Sequence, residues 1–188
     1  MGALKAVAHM PLWLLYRLSD IAWPILYYLV GYRRKVVKSN LASSFPEKTD
    51  RERARIARRF YRNFTDSFVE TIKLLHISDD EIRRRMTFEG TDISDRYLAQ
   101  GRPVVAYFSH CGNWEWATSL TLWSRLRGND KVTFCQIYRP LRNEWMNSLM
   151  LLIRSRFGSV SLPKRTAFLD LLRYRQQGVA TMTGFMSD

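Results

Sequence analysis

The stretch PVVAYFSHCGNWEW, Pro103–Trp116, decides how this chain is read. Val104, Val105, Tyr107 and Phe108 are the β-branched and aromatic residues that strands favour, and Gly112 allows a tight turn after His110. Asn113 is then placed to cap a helix over 113–126 whose first turn carries Glu115. The same rhythm recurs. KVTFCQIY (131–138) precedes a helical pattern at 143–156, and RTAFLDLLRYRQQ (165–177) ends at Gly178 and leads into VATMTGF (179–185). Strands alternating with helices of this length predict βαβ units around a largely parallel sheet. In such sheets sites form at the carboxyl ends of strands. His110, Arg139 and Asp188 each follow a predicted strand, so three segments can converge on one edge.

Upstream the chain is different. MPLWLLYRLSDIAWPILYYLVGYRRK (10–35) is mostly apolar and aromatic, interrupted by Arg17 and Asp20, which are spaced to pair on one helix face. Pro24 predicts a kink or a division of this helix. The segment has no small-residue cleavage site and reads as retained. Trp13, Trp23, Tyr27 and Tyr28 resemble an interfacial aromatic belt, which favours a membrane helix over a buried core helix and leaves open whether it spans or lies in the interface. Next, Pro46 stops a helix, and Thr49 with Glu52 forms a capping box that starts another. Ile56, Phe60, Phe64, Phe68, Ile72 and Leu75 recur at helical spacing, a stripe expected to pack as core. Ser78 with Glu81 starts a short basic helix. Three segments follow: a membrane-anchoring helix (1–31), a basic helical segment (32–85) and an α/β core (86–188).

The formal net charge is +13, from 30 basic and 17 acidic side chains in 188 residues. Residues 31–62 hold eleven basic and three acidic side chains, a net +8. Such a balance points to nucleic acid, anionic membrane or an acidic protein. No phosphate-binding glycine loop, zinc-finger spacing or RNA-binding signature accompanies it, so nucleic acid is set aside. The basic run GYRRKVVK (31–38), directly after the apolar segment, favours the cytoplasmic side of a membrane. Cys111 and Cys135 are the two cysteines, which supports no disulfide framework. His110 and Cys111 have no second ligand cluster, so no metal or other cofactor is expected.

His-x4-Glu is weak as a bare spacing, because His76 and Glu81 show it too, inside a polar helix cap. What distinguishes His110 and Glu115 is the preceding strand and the glycine turn. The chemistry such a pair serves is acyl transfer to a hydroxyl: imidazole takes the hydroxyl proton, a carboxylate orients the imidazole, and a cation or backbone N–H groups stabilise the oxyanion. On local sequence alone, the alternative of a strand-terminating histidine and a solvated glutamate stays open.

SHCGNWEWA (109–117) resembles the histidine-acid motif of the lysophospholipid acyltransferase superfamily, and its H-x-GNWE form is similar to the lipid A late acyltransferase branch of Gram-negative bacteria. QIYRPLRNEWMNSLMLLIRSRFG (136–158) resembles that branch's second block, and GFMSD (184–188) the start of its third; VVKSNLASSFPE (36–47) fits as well. The resemblance implies His110 as general base and Glu115 as its partner. Arg154 and Asp188 match the family's site arginine and third-block acid, with Asn113 inside the motif and Arg139 a contact for anionic substrate. It also implies transfer of a fatty acyl chain from acyl carrier protein to a lipid A precursor at the cytoplasmic face of the bacterial inner membrane. It implies, finally, a chain that continues beyond its third block, so that the α/β core here is an incomplete amino-terminal portion. A lysophospholipid or aminolipid acceptor, or a basic membrane-binding module without catalysis, are the alternatives.

Overall fold

The computed structural model describes residues 2–186, so Asp188 lies outside the described residues. The chain forms two compact units, dividing between Lys73 and Leu74.

The first unit is helical: α1 (Gly2–His9), α2 (Leu12–Pro24), a π-helical turn (Ile25–Val30), α3 (Arg34–Ser44) and α4 (Asp50–Lys73). Pro24 does not divide the helix; the chain continues from it directly into the π turn, which ends where Gly31 takes the left-handed conformation at φ 64°. Arg17 and Asp20 pair as their spacing predicts, at 3.7 Å, and Asp20 also binds Arg62 at 2.9 Å. The capping box forms: the Thr49 N–H donates to Glu52 Oε2 at 2.8 Å, and the Glu52 N–H donates to Thr49 Oγ1 at 3.3 Å. Lys73, buried, donates to the carbonyls of Ala8 and Met10 and so satisfies orphan acceptors at the end of α1.

The stripe expected to pack as core is only partly buried: Ile56, Phe64, Ile72 and Leu75 are half-buried and Phe60 and Phe68 exposed. Phe60 and Phe68 are 46% and 59% exposed, whereas the buried face of α4 is the neighbouring row Ala57, Tyr61 and Thr65. α2 faces α4 with Leu12, Leu15 and Ser19, and Ser19 Oγ donates to Thr65 Oγ1 at 2.9 Å. Ser19, Ala57 and Thr65 let the two backbones approach along this seam, and Tyr61 is the ring buried in the same row of α4. The phenylalanines contact one another outside it, Phe60 stacked on Phe64 at 5.9 Å and Phe64 edge-on to Phe68 at 5.7 Å. Trp13, Ile21, Tyr28 and Leu29 are likewise exposed on α2 and the π turn. No described helix is long and apolar enough to cross a membrane.

The second unit is the expected α/β fold. α5 (Asp79–Arg85), capped by Ser78, and α6 (Thr91–Ala99) precede β1 (Val104–Phe108), β2 (Val132–Tyr138), β3 (Val160–Pro163) and β4 (Ala180–Met186). All four strands are parallel, in the order β1-β4-β2-β3. α7 (Glu144–Arg154) connects β2 to β3 and α8 (Ala167–Gln176) connects β3 to β4. One face of the sheet packs Phe134, Ala180 and Met182 against Leu98 of α6; the other packs Cys135 and Leu162 against Ala167 of α8. β3 was not anticipated, being only four residues long.

The helix expected over 113–126 is a correction. Trp114–Leu122 is a 3-10 segment, and Asn113, at its amino end, makes no side-chain cap. The Asn113 carbonyl instead accepts the Trp116 N–H at 3.2 Å, a three-residue step. The cause lies in WEWATSLTL: Thr118 and Ser119 hydroxyls donate to the carbonyls three residues back, at 2.8 and 2.7 Å. These bonds compete with the α-helical ladder and favour the tighter turn.

Candidate active site

Because β4 is inserted between β1 and β2, the carboxyl ends of these three strands lie side by side. β1 leads through Ser109 to His110, and Gly112 turns the chain at φ 63°, in the left-handed region that favours glycine. β2 leads to Arg139. A cleft of about 550 Å3 opens at this edge. His110, Glu115, Arg139 and Arg154 all line it, so four of the expected site residues share one cavity. Asn113 is not among its lining residues, and Asp188 is outside the described part of the chain.

The cleft is mostly apolar. Phe108, Phe134, Met182 and Gly184 come from the sheet, Trp114 and Leu120 from the 3-10 segment, and Met146 and Met150 from α7. Its size suits an apolar ligand with a few polar contacts at one end. Gly184 is closely approached, since a Cβ there would meet Phe108 Cε2 at 3.1 Å and the ring would have to shift by a few tenths of an ångström.

The polar end is dominated by one ion pair. Glu115, 7% exposed, receives Arg154 Nε on one oxygen at 2.8 Å and Arg154 Nη2 on the other at 2.5 Å. This is the bidentate fork geometry that guanidinium and carboxylate prefer. The hydrogen bond to Glu115 holds the Arg154 guanidinium above its ordinary range, against the opposing effect of burial. Ser159 Oγ donates to the Arg154 carbonyl at 2.6 Å and steadies the end of α7. No hydrogen bond joins Glu115 to His110 among the described residues; Arg154 holds the carboxylate. His110 is exposed at the mouth, its ring edge-on to Trp114 at 4.9 Å.

Other chemistry is poorly served. Burial pushes the Cys135 thiol up to about 12, and Cys135 packs in the cluster on the α8 side of the sheet. Among the described residues no three His, Cys, Asp or Glu side chains gather to hold a metal ion. Sequence reasoning did not find the apolar lining. Met146 and Met150, one helical turn apart, were its visible trace.

A parallel sheet whose strand ends carry an apolar cleft lined by an imidazole and an arginine-braced carboxylate has the form of an α/β ligand-binding site. Over residues 1–188 the sequence matches the family of bacterial lipid A biosynthesis acyltransferases, and the chain belongs to that family. The resemblance drawn from the SHCGNWEWA block holds at that level. A search among curated proteins found no match.

Proposed function

We propose that this protein transfers a fatty acyl chain from the thioester of acyl carrier protein to a hydroxyl of a lipid A precursor, at the cytoplasmic face of the bacterial inner membrane. His110 removes the acceptor proton as the oxygen attacks the thioester carbonyl. The tetrahedral oxyanion collapses with cleavage of the C–S bond, and the imidazolium returns the proton to the departing thiolate. Glu115, fixed by Arg154, supplies the negative charge that favours the imidazolium during this step. Arg139, at the mouth, meets phosphate on the acceptor or the carrier's prosthetic arm, and the acyl chain lies against Phe134, Met146, Met150 and Met182. Asn113 and Asp188 keep their place in this reading as residues of the motif blocks.

The observation that carries the proposal is that His110 and Glu115 line one apolar cleft at the carboxyl ends of adjacent strands. Membrane association rests on the first unit, which keeps small and hydroxyl side chains in its seam and turns Trp13, Ile21, Leu29 and Phe68 outward. That inversion suits helices packed in lipid.

The test is acyl transfer with acyl carrier protein as donor. His110→Ala is expected to lower turnover about 10²–10⁴-fold with folding intact. Turnover unchanged in both His110→Ala and Glu115→Ala would reject the catalytic assignment. The bidentate pair favours a second reading for Glu115 alone, as a structural brace. Glu115→Gln that lowers stability but keeps full turnover would select it.

A further inference from the structure

The amino-terminal unit carries a second concavity, which the chemistry above does not use. It is a groove of about 870 Å3 whose lining comes chiefly from α3 and α4. Val37, Leu41, Ala54 and Ala57 provide its apolar surface, and alanine at 54 and 57 leaves room that a larger side chain would fill. Its rim is cationic: Arg33, Arg34, Lys35, Lys38 and Arg53 line it, with Asp50 as the single acid. Asp50 is already bound by Arg53 at 2.9 Å. Among the described residues that is the one ion pair in which groove residues take part, and five basic side chains against one acid leave the rim a net charge of +4.

The rim is also built rather than loose. Arg33 adopts φ 53°, a left-handed conformation that costs a non-glycine residue about 1–3 kcal/mol. The Tyr61 hydroxyl donates to the Tyr32 carbonyl beside it, and the Arg34 guanidinium lies over the Tyr27 ring at 4.9 Å. The chain runs from exposed Tyr28, Leu29 and Val30 straight into this rim, the order of chemistry met on passing from acyl chains to headgroups. An occupant must bring an anionic head for the cations and an alkyl chain for the trough. Free phosphate satisfies only the first, and an uncharged amphiphile only the second.

We infer that this groove binds one anionic phospholipid, its phosphate at the Arg33–Lys38 rim and one acyl chain along Val37, Leu41, Ala54 and Ala57. The site stands whether or not the cleft in the second unit transfers acyl groups. The test uses the 188-residue chain in dodecyl maltoside, with dioleoyl phosphatidylglycerol or dioleoyl phosphatidylcholine added and retention read by native mass spectrometry. Phosphatidylglycerol is expected to stay bound, and phosphatidylcholine to bind about tenfold more weakly. Ala54→Trp fills the trough without changing charge, and Arg34→Glu with Lys38→Glu changes the rim without filling the trough. Each is expected to weaken phosphatidylglycerol retention by about tenfold or more. Circular dichroism checks the fold of Ala54→Trp, and if that variant does not fold, the exposed charge variant decides. Equal retention of the two lipids, or undiminished retention in the folded variants, overturns the inference. So does binding of acyl carrier protein that Ala54→Trp abolishes when neither lipid is retained, since the occupant would then be a protein.

Discussion

At the scale of single residues, the bond between Glu115 and Arg154 governs the site. Arg154→Lys keeps the charge but offers one point donor in place of a fork, and is expected to loosen Glu115 and lower turnover without unfolding the chain. Arg154→Ala leaves a buried carboxylate unpaired and is expected to cost about 3 kcal/mol of stability, read from denaturant unfolding. Cys135 gives a pH signature. Its thiol is raised from 9.0 to about 12, chiefly by burial, so the folded chain keeps a proton there that the unfolded chain releases. Stability therefore falls as pH rises from about 9 toward 12. Melting curves across that range are expected to fall less steeply for Cys135→Ala, and iodoacetamide at pH 8 is expected to label exposed Cys111 and spare Cys135 while the protein is folded.

At the scale of elements, the first unit shows how far helical spacing can be trusted. Two rows of α4 lie side by side, one of phenylalanines and one of Ala57, Tyr61 and Thr65, and it is the second row that is buried. Ser19→Leu is expected to force these helices apart at a cost of about 1–3 kcal/mol. Phe68→Ser, on the outer row, is expected to change stability in detergent by about 0.5 kcal/mol or less; thermal unfolding followed at 222 nm checks both. Periodicity revealed α4, α7 and α8 and the strands β1, β2 and β4, because each has a long or strongly patterned run. It did not reveal which of two adjacent rows is buried, since that depends on what the facing helix offers. Nor did it reveal the 3-10 geometry of Trp114–Leu122, which hydroxyl-to-carbonyl bonds decide, or α6 and β3, which are short. His110, Glu115, Arg139 and Arg154 were legible in the site because strand ends and motif blocks mark them. The Glu115–Arg154 bond was not, for it joins segments 39 residues apart through packing alone.

At the scale of the whole molecule, the net charge of +13 is concentrated between Gly31 and Arg62, beside the exposed apolar row of the first unit. Binding to phosphatidylglycerol vesicles is expected to weaken as salt rises from 0.05 to about 0.5 M, without vanishing, because screening removes the ionic part and leaves the apolar part. Flotation across a salt series measures the two shares, and complete release at high salt would assign the interaction to charge alone. The strand order has a consequence for how the protein comes into being. β2 and β3 pair as near neighbours in the chain, but β1 pairs with β4, which follows it only after β2 and β3. As the polypeptide leaves the ribosome, the helical unit emerges first, while the strand leading to His110 waits for residues 180–186. The sheet edge that leads to His110 is therefore assembled late, after the helical unit has been released.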